Sequence, residues 1–157
     1  MSKQSKKKHA DNVICTNRKA RHDYSIETEF EAGMVLEGWE VKSLRASRGQ
    51  LKDSYVVIKD DEAWLLNSHI APLQTASTHI DPDPTRSRKL LLNRIQINKL
   101  RKAREAQGYT IVSLDMYWKK NIVKLKIALA KGKKLHDKRQ SDKDRDWNRQ
   151  KQRILKR

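Results

Sequence analysis

Residues 109–130, YTIVSLDMYWKKNIVKLKIALA, decide the fold. Tyr109 to Trp118 and Ile122 to Ala130 are two runs rich in β-branched and aromatic residues, joined by Lys119-Lys120-Asn121. In the second run Val123, Leu125, Ile127 and Leu129 fall on one side of a strand and Lys124 and Lys126 on the other. The expected element is an antiparallel pair with one apolar wall and one basic outer face.

Upstream of it, Asn93 caps a helix, Gln96 completes a box, and Ile97, Leu100, Ala103 and Ala106 form its apolar stripe before Gly108 ends it. Tyr55 to Lys59 and Glu62 to Asn67, split by Asp60-Asp61, read as a hairpin. Tyr24 to Phe30 alternates as a half-buried strand. Met34 to Val41 offers another, with Gly38 as a bulge or close approach, although Val41 to Ala46 has helical spacing as well. Leu73 to Ser87 reads as loop. About six antiparallel strands with one main helix predict a mainly β domain, a small barrel with flanking helices, with an open-sheet α+β fold as the alternative.

The 157 residues carry 36 Lys+Arg against 19 Asp+Glu, a formal charge of +17. Such an excess points to a polyanionic partner, because unpaired cations repel until phosphates neutralise them. The charge is concentrated at the ends. Residues 1–9 contribute +4 and residues 131–157 contribute +8, so two basic tails flank a near-ordinary body. The expected organisation is a basic disordered tail over 1–11, a body over 12–130 and a basic carboxyl tail over 131–157. From Lys133 on, only Leu135, Trp147, Ile154 and Leu155 are large and apolar, too few to offset the entropy of ordering the tail alone. Yet Ser141 with Asp144 resembles a capping box, acids precede bases along the segment, and Trp147 and Ile154 share a helical face. The tail reads as folding on contact. Trp147 either docks back on the body or stacks on a partner.

One cysteine, Cys15, excludes an internal disulfide and a multi-cysteine zinc site. No apolar stretch follows the amino-terminal lysines and no apolar run exceeds four residues, so neither a signal peptide nor a membrane span is expected, and a cytoplasmic protein is. Glycine-loop, GxSxG, HExxH and CxxC motifs are all missing, and the five histidines lack ligand spacing. No cofactor, metal or catalytic set is expected. Glu27, Glu29 and Glu31 share a strand face, which a solvated surface explains better than an acid–base site. Asn17-Arg18-Lys19-Ala20-Arg21-His22-Asp23-Tyr24 mixes cations with rings, which suits phosphates and bases, or else a solvated basic turn with Tyr24 in the core. Arg86-Ser87-Arg88-Lys89 before Leu90-Leu91-Leu92 reads as a solvated basic loop leading into core leucines.

These segments resemble the SsrA-binding protein (small protein B) family. The resemblance runs through the Asn17–Tyr24 segment, Glu31-Ala32-Gly33, Gly38-Trp39-Glu40-Val41-Lys42-Ser43-Leu44-Arg45, Asp53-Ser54-Tyr55, Arg86–Leu92, Gly108-Tyr109-Thr110 and Ala130–Arg139. It covers roughly residues 13–157, with Trp39, Gln96, Asn121 and His136 departing from the usual pattern.

The resemblance implies an oligonucleotide-binding (OB) type barrel that binds the tRNA-like part of transfer-messenger RNA and delivers it to stalled ribosomes in trans-translation. The tail would become helical in the empty message channel at the small-subunit decoding site. Elongation factor Tu and alanyl-tRNA synthetase would share the same RNA. The implied RNA-binding residues are Asn17, Arg18, Lys19, His22, Tyr24, Glu31, Lys42, Leu91 and Lys124. The implied decoding-site residues are Gly132, Lys133, Lys134, His136, Asp137, Lys138, Arg139 and Trp147. Of two rival classes, a structural ribosomal protein would share the size and charge, and an RNA-modifying enzyme would use the Glu27, Glu29, Glu31 row.

Overall fold

The computed structural model describes residues 12–74, 81–133 and 135–155; the side chains of 135–138, 140, 141, 154 and 155 fall outside the description. The expected amino-terminal tail, residues 75–80 of the expected loop, and Lys134 therefore lie outside the described residues.

The strands are β1 (Val13–Thr16), β2 (Tyr24–Met34), β3 (Gly49–Gln50), β4 (Tyr55–Lys59), β5 (Glu62–Leu66), β6 (His69–Ile70), β7 (Arg88–Leu91), β8 (Thr110–Lys119) and β9 (Ile122–Gly132). The helices are α1 (Arg18–Asp23), α2 (Gly38–Arg45), α3 (Arg94–Gln107) and α4 (Leu135–Leu155). The main sheet is antiparallel in the order β1-β8-β4-β5-β7-β2-β9, and β9 also pairs with β8, so hydrogen bonding runs round a ring of six strands. A mainly β, antiparallel body with helices is thus as expected, with β1 and the short β3–β6 pair added to the ring.

Both hairpin turns carry left-handed pairs at their centres. Asp60 and Asp61 have φ of 52° and 60°, and Lys120 and Asn121 have 49° and 63°. Two successive positive φ values make the turn whose twist matches the flanking strands, and Asp and Asn tolerate them best after Gly. The β8–β9 loop is therefore two residues long, since Lys119 still pairs with Ile122. α3 has the predicted caps: Asn93 accepts from Gln96 N at 2.8 Å, Gln96 reaches back to Asn93 N, and Gly108 closes the helix at φ 69°.

Two bulges give the sheet a second buried face. Phe30, Ala32 and Met34 pack in the ring interior, yet Tyr24 and Ile26, of the same parity, pack against a separate cluster with Ala20, Val112 and Leu114. The register slips between Ile26 and Thr28, which turns the start of β2 to the other side. A slip between Ser113 and Asp115 does the same for β8, putting Met116 inside and Leu114 under α1. The simple alternation expected for Tyr24 to Phe30 is corrected in this respect.

Of the two readings of this stretch, the Met34–Val41 strand is corrected, while the helical spacing from Val41 on falls within a helix. β2 ends at Met34 and α2 begins at Gly38, so Gly38 opens a helix instead of making a bulge. Glu40 explains the helix: its Oε1 accepts from Glu37 N at 2.8 Å, a box built by glutamates. Trp39 is buried and its indole donates to Glu37 Oε2 at 2.6 Å. Arg86-Ser87-Arg88-Lys89 is not a solvated loop either. Arg88 and Glu40 are both fully buried and paired, and Arg86 joins them on Glu40. Arg88 also donates to Ser68 O at 3.0 Å, Ser68 Oγ at 2.7 Å and Pro84 O at 3.0 Å. The carboxyl segment is a 21-residue helix, where the composition predicted no stable structure on its own. Its attachment to α1 (below) is one contact the composition did not show.

Removing one member of a buried pair strands the other charge. Arg88→Met should lower the unfolding free energy by about 3–5 kcal/mol in urea titration, and adding Glu40→Gln should restore part of it because no charge is then left unpaired.

Candidate nucleic-acid interface

Asn17 anchors the basic segment. It is 4% exposed, its Nδ2 donates to Leu51 O and Ser113 O at 3.0 Å each, and its Oδ1 accepts from Ala20 N at 3.1 Å. These contacts cap α1 and bolt it to the β3–β4 corner and to β8. Asn17, expected at the RNA surface, spends its polar atoms inside the fold and positions the helix. The basic turn expected at this place is a six-residue helix with Ala20 buried beneath it.

Arg18, Lys19 and Arg21 of α1 face outward. Arg18 and Lys19 are exposed, and Lys19 Nζ lies 2.7 Å from Asp53. Their shared hydrogen bond raises the Lys19 pKa and lowers that of Asp53, so both stay charged. Arg21 pairs with Asp115 at 2.8 Å. The His22 ring bridges two carboxylates, Nδ1 to Asp23 at 2.9 Å and Nε2 to Asp142 of α4 at 2.8 Å. Tyr24 is half-buried and pairs with Gly132 across the β2–β9 ladder. Lys133 N donates to Asp23 O at 2.8 Å, which brings the end of β9 beside α1. Gly132 and Lys133 therefore adjoin the first group of expected residues, and β9 runs two residues past the expected end of the body at 130.

Glu31, Leu91 and Lys124 make a second patch. Gly33 faces Leu91 on one side and Lys124 on the other, and Lys124 faces Tyr117. Leu91 is 54% exposed, not a core leucine, and a Cβ on Gly33 would come within 3.2 Å of it. Tyr117 donates to Glu31 at 2.5 Å and Lys119 Nζ lies 3.1 Å away. The Tyr117 hydrogen bond, with Lys119 and Lys124 alongside, holds the Glu31 carboxyl below its usual range. At about 3.3 Å per residue, the stretch from Tyr24 to Glu31 sets the two patches roughly 20 Å apart along β2. Lys42 stands apart from both groups, exposed on α2.

The row Glu27, Glu29, Glu31 is not a catalytic cluster. Glu27 takes the Tyr109 hydroxyl, Glu29 lies 3.7 Å from Lys126, and Glu31 takes Tyr117 and Lys119. Among the described residues no three His, Cys, Asp or Glu side chains converge on a metal-sized site, and no helix is long and apolar enough to cross a membrane. On α4, Arg139 and Trp147 are exposed and Lys151 lies over the Trp147 ring at 5.5 Å. His136, Asp137 and Lys138 belong to this helix, and their side chains lie outside the described residues, as does Lys134.

The sequence reading missed two groups. Tyr117, the partner of Glu31, sits in a β-rich run with nothing local to mark it. Tyr55 and Asp53 line a cleft of about 370 Å³ beneath α1 together with Arg104, and only the resemblance had singled out the Asp53-Ser54-Tyr55 segment.

Residues 14–157 match the protein family described as SmpB protein. An SsrA-binding protein of Coxiella burnetii (strain Dugway 5J108-111) is 58% identical over 156 residues, 99% of this chain and 98% of its own length. One from Pseudomonas fluorescens is 59% identical over 155 residues, 99% of this chain and 96% of its own. Among solved structures, a chain from "tmRNA-SmpB: a journey to the center of the bacterial ribosome" is 41% identical with a TM-score of 0.64, covering 77% of this chain and 85% of that one.

Two outcomes test the geometry. Asn17→Ala should cost about 2–4 kcal/mol in urea unfolding, from a lost cap and two lost side-chain hydrogen bonds. Glu31 has a lowered folded-state pKa, so its contribution to stability is present above the ordinary carboxylate range and is lost as pH falls through the lowered value. Tyr117→Phe should therefore destabilise the protein at neutral pH and much less in acid, when unfolding is compared at the two pH values.

Proposed function

This chain belongs to the SmpB family, and from that membership and the two basic patches we propose that it binds transfer-messenger RNA and acts with it on ribosomes in trans-translation. It is a non-catalytic RNA-binding protein. The observation that carries the reading is the convergence of Arg18, Lys19, Arg21 and His22 with Lys133 at one corner, where α1 meets the end of β9.

On this reading the six-strand ring is an OB-type barrel whose outer face receives the tRNA-like part of the RNA. Arg18, Lys19, His22 and Tyr24 meet it at one end of β2. Glu31, Leu91 and Lys124 meet it at the other, with Lys42 on α2 as a further contact. Asn17 serves by positioning α1. Phosphate contacts fix orientation and supply the salt-dependent share of affinity, while rings and carboxylates discriminate.

The carboxyl segment from Gly132 through Lys133, Lys134, His136, Asp137, Lys138, Arg139 and Trp147 enters the vacant message channel at the decoding site. As a helix of 21 residues it spans about 30 Å. A message in the channel would occupy that path and repel nothing cationic but exclude the helix sterically; an empty channel offers ribosomal phosphates to the cations and bases to the rings. Elongation factor Tu and alanyl-tRNA synthetase meet the protein through the shared RNA, in the cytoplasm where ribosomes work.

The test is a salt-titrated binding assay against transfer-messenger RNA with ordinary tRNA as competitor. Preference for the former should persist as salt rises, and equal binding that collapses with salt would replace this reading with a generic polycation. Lys124→Ala should shallow the salt slope by about one unit. A chain ending at Lys133, which keeps β9 whole, should bind the RNA with little change yet fail to support tagging on stalled ribosomes. Loss of RNA binding by that chain would refute the separation of body and tail.

A further inference from the structure

The cleft beneath α1 has a use beyond charge, and we propose, resting on the RNA-binding reading above, that it takes a single unpaired guanine of the bound RNA. Its volume of about 370 Å³ lies in the range of ligand-sized pockets, and Tyr24, Tyr55, Asp53, Lys19 and Arg104 line it over an apolar floor that includes Val112. Strand alternation produces the arrangement. Val56 is 2% exposed and closes the core, while its neighbour Tyr55 is 39% exposed and gives its ring to the cleft instead of the interior. Tyr24 forms another wall, since the bulge in β2 has turned it toward α1.

A flat aromatic wall and an apolar floor suit a nucleobase, because every base has a face to stack. The polar lining selects among bases. Asp53 stands in a left-handed turn at φ 62°, and Lys19 holds it at 2.7 Å as an ionised carboxylate, an acceptor only. Guanine alone among the four bases carries two adjacent donors, N1–H and the N2 amino group, on its Watson–Crick edge. A carboxylate matches that edge and repels the acceptor at the same place on adenine or cytosine. Lys19 and Arg104 then supply cations for the phosphates that flank an extruded nucleotide.

The experiment is kethoxal footprinting, which modifies N1 and N2 of unpaired guanine, on transfer-messenger RNA saturated with the full chain. The expected result is one guanine in the tRNA-like part that the protein shields. Asp53→Asn and Tyr55→Ala should unmask it and Tyr55→Phe should keep it shielded, with Tyr55→Ala weakening affinity on the order of 10-fold. Both positions are solvent-facing, and thermal melts confirm that the variants fold. Shielding that survives millimolar 5′-GMP identifies the RNA as the source of the base. Displacement of the RNA guanine by GMP would make the cleft a free-nucleotide site and overturn the proposal. If the RNA binds but no guanine depends on Asp53 or Tyr55, the guanine site is wrong and the RNA reading stands. If the RNA does not bind at all, both fall.

Discussion

A guanidinium with no exposed surface cannot be left without a counter-charge, and the pairing of Arg88 with Glu40 organises the body around that requirement. Glu40 belongs to α2 and Arg88 to β7, so the pair fixes a helix against a ring strand that lies far along the chain. The same guanidinium collects Ser68 and Pro84, drawing in the turn between β5 and β6 and the loop before β7. Three residues beyond Arg88 stands Leu91, opposite Gly33, and so the exposed leucine of the second patch takes its place from a buried ion pair.

Asn17 plays the corresponding part at the other corner. A six-residue helix is too short to persist by itself, because nucleation costs more than so few hydrogen bonds return. Cap, tether to Leu51, tether to Ser113 and the small Ala20 set on Val112 and Leu114 together make α1 a fixed platform. The bulges in β2 and β8 are what provide apolar side chains on that outer side. Platform and bulges thus imply one another.

How much of this was legible follows from the range of the interactions. Asp60-Asp61, Lys120-Asn121 and the Asn93–Gln96 box act over two or three residues, and the sequence announces them. The antiparallel body and its apolar wall follow from alternation along single strands. By contrast α2 was obscured by the apolar Met34-Val35-Leu36 run and an unusual Glu cap, and its real anchor is 48 residues away. The same distance made Arg88 look like a surface cation. The anchoring role of Asn17 was hidden because its partners lie 34 and 96 residues on. Among the candidate binding residues, the grouping of Glu31, Leu91 and Lys124 needed strand register to appear, since no local spacing joins them.

Three of the four basic side chains of α1 are not bare. Lys19 is held by Asp53, Arg21 by Asp115, and His22 sits between Asp23 and Asp142. A phosphate arriving at Lys19, Arg21 or His22 therefore exchanges with a resident carboxylate, and its gain is the difference between two contacts. A flexible polyanion that meets one cation at a time gains little from such a trade. A rigid RNA surface that presents its phosphates together displaces the carboxylates in one step. The formal charge of the chain thus overstates its attraction for nucleic acid at large, and the resident carboxylates act as a threshold that favours shape over charge.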